Sequence, residues 1–597
     1  MKKSKSYAAR FPRQLTRGGK CRNLTFAAGL GCSLLMLGAV SAQEMQPDTS
    51  ETRSIRGTVV NSVTHQPIER ALVHTSDNRF ATLTDSEGHF EFTVPAPSAA
   101  PVEGSPGSIF RPGALGQSTS LTARKPGFLG DRARGADPGT PAREATISLV
   151  PEALIVGHVV LPSSEPSDRI QVELYRRQVQ DGRAHWVMRE QVTTKSTGEF
   201  RFAELSAGSY KLLTRELLDR DPLTFNPQGP QFGYPPVYFP GAGDFVSAET
   251  IQLTPGKTFQ ADITLVKQPY YPVKVAVSNG QPGFGMQVVV SPQGHRGPGY
   301  ALGGGPGTIE GLLPNGTYTV EAASGFEANS ASGSLSITVK GARAEGASLT
   351  LVPDNPIAVN VKEEFTNPEN AGEQGVVIYS GPTRAPGTRI LSGPRRYLNI
   401  QLEAVDDFGL GQGATLRPAT GPDDESLAID NVRPGRYWVK VNSSRGFAAA
   451  ITSGGMDLQH QPLVVSGGSS PPIEVTMRDD WAEIDGTVEG IASPFGETDV
   501  SPFQTGMSFE AAAHVYFVPL PDSSGEFREA WVGRDGKFNV PQLPPGVYRV
   551  LAFDRPQSEL EYRNAEAMRA YDSKGQVVRL VGNQKEQVRL QLLSTSE

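Results

Sequence analysis

One short segment, Leu543-Pro-Pro-Gly546-Val-Tyr548, shows how this chain is organised, because its pattern occurs four times. The pattern is an apolar residue, two variable residues, a glycine, another variable residue and a tyrosine. Its other copies are Leu205-Ser-Ala-Gly208-Ser-Tyr210, Leu313-Pro-Asn-Gly316-Thr-Tyr318 and Val432-Arg-Pro-Gly435-Arg-Tyr437. The tyrosines follow one another at intervals of 108, 119 and 111 residues, which is the size of a domain and far beyond a solenoid period. The chain is therefore predicted to be an array of similar domains.

Alternating apolar residues before each pattern predict a β-strand with one face in a core. In three copies, apolar residues stand five and three residues before the apolar position: Phe200 and Phe202, Leu427 and Ile429, Phe538 and Val540. In the copy at Leu313, Ile309 stands four residues before it, and we expect a β-bulge or a shifted register there. Gly198 and Gly536 mark tight turns, since glycine adopts positive φ without steric cost.

The first module lacks the tyrosine pattern and carries a different motif. Gly57-Thr-Val59 is followed by Gln66-Pro-Ile68, by Thr84-Asp-Ser-Glu-Gly88-His-Phe90-Glu-Phe92 and by a strand that ends in Gly127-Phe128. This run resembles the carboxypeptidase regulatory-like family, whose fold is a transthyretin-like β-sandwich. The resemblance covers residues 54–128 and recurs more weakly near Gly157 and Gly486. It implies an accessory module, not the peptidase itself, and its similarity to starch-binding-like sandwiches implies carbohydrate as the default ligand.

The predicted fold is all-β: about five transthyretin-like or Ig-like antiparallel β-sandwich modules in tandem after a signal peptide. The expected divisions are 1–42 (signal peptide), 43–52 (short linker), 53–153 (module 1, with a loop insertion near 95–119), 154–267 (module 2), 268–354 (module 3), 355–478 (module 4) and 480–597 (module 5). Links of a few residues between terminal strands predict a semi-rigid string of modules. The best short helix candidate is Arg563–Ala570.

The first 42 residues have the features of an export signal. Eight basic residues precede any acidic one, an apolar stretch follows at 24–40, and Val40-Ser-Ala42 fits a cleavage site. An uncleaved membrane anchor is the alternative, because the apolar stretch is close to membrane length. Both cysteines, Cys21 and Cys32, lie in this segment, so the mature chain would contain no disulfide and no thiolate ligand. We expect a bacterial protein that is periplasmic, outer-envelope-associated or secreted, with membrane contact only through an uncleaved N-terminal segment.

Charge and motif content exclude several classes of function. The net charge is −7, and removal of a leader with eight basic residues would make it about −15, so nucleic-acid binding is not expected. The eight histidines form neither H-x-x-E nor H-E-x-x-H, and the sequence contains no G-x-S-x-G elbow and no phosphate-binding loop. We therefore predict a non-enzyme without metal or cofactor. The acids Asp479-Asp480 at a module joint leave two interpretations open, a Ca²⁺ site or a solvated turn.

The most unusual segment is Phe225-Asn-Pro-Gln-Gly-Pro-Gln-Phe232-Gly-Tyr234-Pro-Pro-Val-Tyr238-Phe239. Phe232, Tyr234, Tyr238 and Phe239 are the candidate ligand-binding residues, because aromatic faces stack on sugar rings or extended peptides. The alternative is a long connection that packs these rings against its own module. A binding platform requires at least two exposed rings, so burial distinguishes the two.

The function expected from these features is that of a non-catalytic envelope protein. Its modules would act as spacers and binding surfaces for a carbohydrate or an envelope protein. The alternative is a relative of an accessory or N-terminal domain in a carboxypeptidase or TonB-dependent receptor system, which would bind a protein partner instead of a glycan.

Overall fold

Strands with alternating burial make up most of the described structure, in agreement with the predicted all-β class. A computed structural model describes residues 52–75, 78–95, 121–132, 145–162, 167, 169–218, 231–281, 283–325, 329–366, 376–379, 387–390, 393–418, 425–491, 511–533 and 535–594. The expected signal peptide, almost all of the expected loop insertion, and Phe225 lie outside these residues.

Module 1 consists of two four-stranded sheets around one core. Its strands are β1 (Thr52–Asn61), β2 (Leu72–Thr75), β3 (Ala81–Leu83), β4 (His89–Pro95), β5 (Leu121–Arg124), β6 (Phe128–Leu129), β7 (Asp131–Arg132) and β8 (Ala145–Pro151). The sheet orders are β4-β1-β8-β6 and β3-β2-β5-β7. Buried Val59 from one sheet and Val73 from the other belong to the same hydrophobic cluster.

Module 2 repeats this arrangement with longer strands in its second sheet. Its strands are β9 (Ala153–Val160), β10 (Gln171–Gln180), β11 (Arg183–Thr193), β12 (Glu199–Leu205), β13 (Gly208–Thr214), β14 (Leu217–Leu218), β15 (Gln231–Tyr234), β16 (Val237–Tyr238), β17 (Ile251–Leu253), β18 (Thr258–Gln260) and β19 (Ile263–Thr264). One sheet has the order β12-β9-β18, and the other has the order β11-β10-β13-β16.

Module 3 has a sheet that extends into module 2. Its strands are β20 (Gln268–Ser278), β21 (Met286–Pro292), β22 (Gly303–Gly305), β23 (Thr308–Pro314), β24 (Gly316–Ser324), β25 (Ala331–Val339), β26 (Ala344–Thr350) and β27 (Val352–Pro353). The order β14-β15-β20-β23-β22 includes two strands from the module 2 segment, and the facing sheet is β21-β24-β25-β27.

Module 4 has two main sheets and a separate hairpin. Its strands are β28 (Ile357–Glu364), β29 (Val376–Tyr379), β30 (Gly387–Ile390), β31 (Leu398–Ala404), β32 (Ala414–Thr415), β33 (Leu427–Ile429), β34 (Gly435–Ser443), β35 (Phe447–Ser453), β36 (Met456–Asp457), β37 (Leu463–Val465) and β38 (Ile473–Arg478). The orders are β33-β28-β38-β35-β36 and β32-β31-β34-β37, with β29 paired to β30.

Module 5 differs because its strands join into one seven-stranded sheet that encloses its core. Its elements are β39 (Ala482–Glu489), β40 (Ala513–Pro519), β41 (Arg528–Val532), β42 (Lys537–Leu543), β43 (Gly546–Phe553), α1 (Ala565–Met568), β44 (Gln576–Leu580) and β45 (Lys585–Leu593). The order is β41-β40-β43-β45-β39-β42, with β44 on β43. The short α1 lies in the predicted helical segment, is capped by the Asn564 side chain and contributes Met568 to a second hydrophobic cluster.

The four pattern tyrosines occupy equivalent corners, as predicted. Each hydroxyl donates a hydrogen bond to the carbonyl oxygen four residues earlier: Tyr210 to Ser206 (2.8 Å), Tyr318 to Pro314 (3.1 Å), Tyr437 to Arg433 (2.7 Å) and Tyr548 to Pro544 (2.6 Å). All four side chains are buried. A Cβ added at Gly316 would lie 3.0 Å from the Tyr318 hydroxyl, so the ring needs a glycine at that position. The pattern therefore encodes a tyrosine corner.

The motif of module 1 also has a structural basis, and it recurs in modules 2 and 5. In each case a phenylalanine ring packs onto a glycine in the first strand of the module, from the strand paired with it: Phe90 on Gly57, Phe200 on Gly157 and Phe538 on Gly486. A Cβ on any of these glycines would lie 2.1–2.6 Å from the ring. The weaker matches seen in modules 2 and 5 therefore share the packing of the first.

The expected bulge at Leu313 is wrong, and the reason lies in the spacing. Strand β23 pairs with β20 without interruption over Thr308–Pro314. Register shifts occur instead where the spacing is three, between Phe202 and Leu205 in β12 and at the equivalent place in β42. Side chains alternate with a period of two, so an interval of three residues returns to the same face only if a residue is inserted. An interval of four needs no insertion.

The described strand pairs within the modules are antiparallel, except for those between the first and last strands and, in module 5, a short parallel pairing of β43 with β45. The first and last strands of each module pair in parallel: β1 with β8, β9 with β18 and β19, β20 with β26, β28 with β38, and β39 with β45. Parallel pairing places the start of the first strand and the end of the last at opposite ends of the module. Each module then continues into the next after a short link, such as Glu152 between β8 and β9.

Candidate functional site: the joints between modules

The aromatic segment predicted to bind a ligand lies in a joint between modules 2 and 3. Tyr234, Tyr238 and Phe239 are 2%, 1% and 7% exposed, whereas Phe232 is 46% exposed. Three of the four candidate rings are therefore buried, and the segment does not present the two exposed rings that a ligand platform requires. Removing a large ring from water stabilises the fold, and the packed alternative is the arrangement that the structure has.

Strand pairing explains why this segment is buried. Strand β15 pairs with β14 and with β20 of module 3, while β16 pairs with β13 of module 2. The rings of Tyr234 and Phe239 belong to the core of module 2. The Tyr238 hydroxyl donates a hydrogen bond to the carbonyl oxygen of Pro298 in module 3. We call this segment, residues 231–239, the aromatic joint.

A second joint is formed by residues 404–411 of module 4, which we call the hub loop. The ring of Phe408 lies 4.7 Å from the Phe245 ring and 5.6 Å from the Tyr175 ring, both in module 2. Asp407 pairs with His185 Nδ1 at 2.7 Å and accepts a hydrogen bond from the Trp186 backbone N–H at 2.8 Å. The hub loop therefore fastens module 4 to module 2 by one ring and one carboxylate.

The neighbouring acid of the hub loop faces module 3. Asp406 lies 2.9 Å from Arg296 Nη1 of module 3 and 2.7 Å from Arg436 Nη2 of its own module. Arg296 also pairs with Glu321 at 2.6 Å, and Glu321 accepts a hydrogen bond from the Leu410 N–H. Two adjacent carboxylates thus bind two different modules.

The tip of the β10–β11 hairpin contacts modules 4 and 5 together. The Asp181 carboxylate lies 3.3 Å from Lys440 Nζ of module 4 and 3.3 Å from Arg563 Nη2 of module 5, and it accepts a hydrogen bond from the Tyr562 hydroxyl. The Arg563 backbone N–H donates to the Gly182 carbonyl oxygen at 3.1 Å. We call these five residues the clasp.

The clasp depends on the absence of a side chain at residue 182. A Cβ added to Gly182 would lie 2.7 Å from three atoms of the Tyr562 ring. The Phe527 ring stacks on Tyr562 at 3.8 Å with an angle of 5° between the planes. Because Phe527 occupies one face of the ring, Gly182 must lie on the other.

Electrostatic effects in these joints favour the charged forms of the Asp181 carboxyl group and the His185 imidazole. Burial of Asp181 opposes ionisation, but Arg563, the Tyr562 hydroxyl and Lys440 outweigh it and hold the pKa of the carboxyl below its ordinary value. The hydrogen bond that His185 Nδ1–H donates to Asp407 raises the pKa of His185 above its ordinary value, against a smaller effect of burial.

Arg183 is the most strongly desolvated cation at the clasp. Its guanidinium carbon lies 3.7 Å from the centre of the Trp438 ring. Burial lowers the pKa of Arg183 to about 10, and the charge of Arg563 adds to this effect. Stacking on an aromatic face compensates a guanidinium for lost water.

The contacts in these joints are suited to holding the modules together. Buried ion pairs contribute little net stability, but separating them leaves unpaired charges in a poorly solvated place. The joints therefore select one relative placement of modules 2, 4 and 5. The chain from Arg53 onward accordingly forms one compact unit. The expected string of modules is wrong here, because a linear string would keep modules 2 and 5 apart.

The acids Asp479 and Asp480 also lie at a joint, between modules 4 and 5. Asp479 accepts hydrogen bonds from the backbone N–H and the hydroxyl of Thr366 at 2.7 and 2.8 Å. Asp480 is 6% exposed and pairs with Arg478. The solvated-turn interpretation is therefore wrong for Asp480. Within the described residues, no group of three or more His, Cys, Asp or Glu side chains is placed to hold a metal ion.

The clasp and the hub loop were missed because their partners are far apart in the sequence. His185 and Asp407 are separated by 222 residues, and Asp181 and Tyr562 by 381. The local signals are an Asp-Gly turn at residue 181 and the acidic pair Asp406-Asp407. Both are also typical of solvated loops, so neither identifies a joint.

Comparisons with known proteins leave the family open. No protein-family model matches the sequence. A search of curated proteins finds no match either. Among solved structures, the Bacillus anthracis TIE protein is similar over 73% of this chain and 75% of its own, at 7% identity and a TM-score of 0.15. The minor pilin GBS52 of Streptococcus agalactiae is similar over 36% and 97%, at 14% identity and a TM-score of 0.17.

A third similar structure is the RrgB pilus protein from Streptococcus pneumoniae. It covers 75% of this chain and 98% of its own, at 8% identity and a TM-score of 0.13. TM-scores this low carry no argument about function. In the part of the chain that the structure describes, no helix is long and apolar enough to cross a membrane.

Proposed function

We propose that this protein is an exported, non-catalytic scaffold whose modules 2–5 are fastened into one body that holds its outer surfaces in fixed positions. The observation that carries this proposal is the pairing of Asp181 with Lys440 and Arg563, which joins three modules at one point. Charged groups that pair with each other across module boundaries support a role in assembly instead of a role in catalytic turnover.

The proposed family is the carboxypeptidase regulatory-like group. The shared packing of a phenylalanine ring on a glycine in modules 1, 2 and 5 supports it, because this packing underlies the motif that carries the resemblance. The implied role is that of an accessory module. Export is proposed from the basic and apolar N-terminal segment.

The ligand that we propose first is an envelope protein, with an accessory role beside a carboxypeptidase or a TonB-dependent receptor as one form of this function. A body of several fixed modules offers a partner a broad surface whose shape does not change on binding. Burial of Tyr234, Tyr238 and Phe239 removes the rings that favoured a sugar at the aromatic joint.

Carbohydrate binding is the second candidate, and one observation favours it at a different place. Trp531 on β41 is 66% exposed. Its cross-strand neighbour His514 pairs with Glu529 at 2.9 Å, so an aromatic face lies beside polar groups. Such a combination suits the apolar face and the hydroxyl groups of a sugar ring.

Three assays on residues 43–597 test this proposal. We expect no turnover on peptidase and glycosidase substrate panels, and turnover that a point mutation abolishes would overturn the non-enzyme proposal. When the wild-type chain is cross-linked in an envelope fraction, we expect it to capture a partner protein. The Gly182→Ala variant, in which the clasp is expected to open, should no longer retain that partner. A glycan array with Trp531→Ala as the matched variant tests the second candidate: retention that is lost in the variant favours carbohydrate over a protein partner.

A further inference from the structure

Glu216 lies where the chain passes from module 2 to module 3. It follows β13 of module 2 and directly precedes β14, which belongs to the sheet of module 3. Its backbone N–H donates to the Gly299 carbonyl oxygen at 3.3 Å, and its Oε1 accepts a hydrogen bond from the Ala301 N–H at 2.8 Å. One residue of module 2 is thus held twice by a loop of module 3.

Among the residues that the structure describes, two buried polar atoms at this place have no hydrogen-bond partner. One is Glu216 Oε2, and the other is the hydroxyl of Tyr270, whose side chain is fully buried. An ionised carboxylate can only accept hydrogen bonds, whereas a protonated one can also donate. A buried acceptor that stays unpaired destabilises the closed arrangement, so a proton on Glu216 relieves part of this cost.

The groups that face Glu216 do not neutralise its charge. Arg215 is adjacent, but it pairs with Glu173 of β10 at 3.2 Å. In the described part of the chain, the other titratable groups that interact with Glu216 are tyrosines of module 3: Tyr270 on β20, Tyr300 before β22 and Tyr318 on β24. Burial raises the pKa of Glu216 to about 7, against the Ala301 N–H and Arg215, which lower it. Burial and the charge of Glu216 raise the pKa of Tyr270.

We propose that Glu216 is a proton-controlled latch: the joint between modules 2 and 3 is tight while this carboxyl is protonated and loosens when it ionises. When the joint opens, Glu216 meets water and returns to its ordinary pKa of 4.5. The closed joint therefore binds a proton that the open joint releases, and the opening equilibrium increases as the pH rises from about 4.5 to about 7. Above that range it levels off, because the carboxyl is then ionised in both states.

Hydrogen exchange on residues 43–597 tests this latch. The readout is the protection factor of peptides that contain Glu216 or Ala301, which corrects for the intrinsic effect of pH on exchange. We expect the opening equilibrium of the wild type to increase about tenfold or more between pH 5 and pH 7. In Glu216→Gln, which keeps the acceptor for the Ala301 N–H without the charge, the protection factor should stay constant. The matched control Glu249→Gln removes the same charge from an exposed position of module 2 and should behave like the wild type.

Three results would overturn the proposal. They are a flat wild-type profile, a pH dependence that persists in Glu216→Gln, and a pH dependence that disappears in Glu249→Gln. Should Glu216→Gln fail to fold, the Glu216 carboxyl is titrated in the wild-type chain by carbon-13 NMR. A midpoint well above 4.5 supports the latch, and a midpoint at or below 4.5 contradicts it.

Discussion

Module 2 is fastened to its neighbours in two different ways. The aromatic joint binds it to the next module along the chain by burying rings such as Tyr234 and Tyr238. The clasp binds it to modules 4 and 5 through charges around Asp181. The first kind of contact stabilises the fold through apolar burial, whereas the second selects a relative placement with little net stabilisation. Buried rings therefore stabilise the fold, and charges select the placement of the modules. Substitutions should distinguish these two roles.

The largest effect is expected at the aromatic joint. Tyr234→Ala and Tyr238→Ala should each lower the free energy of unfolding by about 3–5 kcal/mol, because each removes a buried ring and leaves a cavity. Denaturant unfolding followed by tryptophan fluorescence measures this. Phe232→Ala in the same segment is the matched control and should cost less than about 1 kcal/mol, since its ring is 46% exposed. Equal losses in all three variants would contradict the burial of the joint.

The next largest effect is expected at the clasp, where a substitution should change the relative placement of the modules as well as the free energy of unfolding. Gly182→Ala puts a methyl group into the Tyr562 ring, and we expect a loss of about 1–3 kcal/mol together with a larger radius of gyration in X-ray scattering. Gly455→Ala is the matched control: this glycine also has positive φ, but a Cβ there meets open space. It should leave the scattering profile unchanged. An unchanged profile in Gly182→Ala as well would show that the clasp does not hold modules 2 and 5 together.

A smaller loss of unfolding free energy is expected at the tyrosine corners, where the contact is local. Tyr210→Phe and Tyr437→Phe each remove one hydrogen bond at a corner, and each should lower the free energy of unfolding by about 1 kcal/mol. The two losses should add in the double variant, because the corners lie in different modules and share no partner. Asp181→Asn and Arg563→Gln should instead be non-additive, since both act on one ion pair. Chemical denaturation of both double-mutant cycles gives the comparison.

The smallest effect concerns pH at the hub loop. The pKa of His185 is raised in the folded protein, so its contribution is fully present below the ordinary value of 6.5 and is lost as the pH rises through the raised value. Hydrogen exchange of the Trp186 amide, which donates to Asp407, should therefore lose protection over that range. In His185→Gln the protection factor should not change with pH. Protection that increases with pH in the wild type would reverse the sign and contradict the ion pair.

The sequence predicts the local features well, because their signals lie within a few residues. The corner at Tyr437 needs only a glycine two residues earlier and a carbonyl group four residues earlier, and both are visible in the pattern. The bulge near Leu313 was assigned to the wrong copy, since an interval of four residues is the regular one in a strand.

The joints could not be predicted in the same way. An aromatic run such as 232–239 is compatible with a ligand platform or with a buried connection, and only the strand pairing with β20 distinguishes them. The partners of Asp181 and Asp407 come from other modules, so no spacing in the sequence brings them together. Tertiary packing alone reveals these contacts.

The clasp is expected to hold modules 2 and 5 at a fixed distance. The expected mature chain contains no cysteine, so labels can be placed at Ser196→Cys in module 2 and Ser558→Cys in module 5, both at exposed positions. Electron–electron double resonance between two spin labels then measures the distance directly. We expect a single narrow distribution, which becomes broad when Gly182→Ala is added. A broad distribution without that substitution would show that the modules move independently, and it would contradict a clasp that holds modules 2 and 5 together.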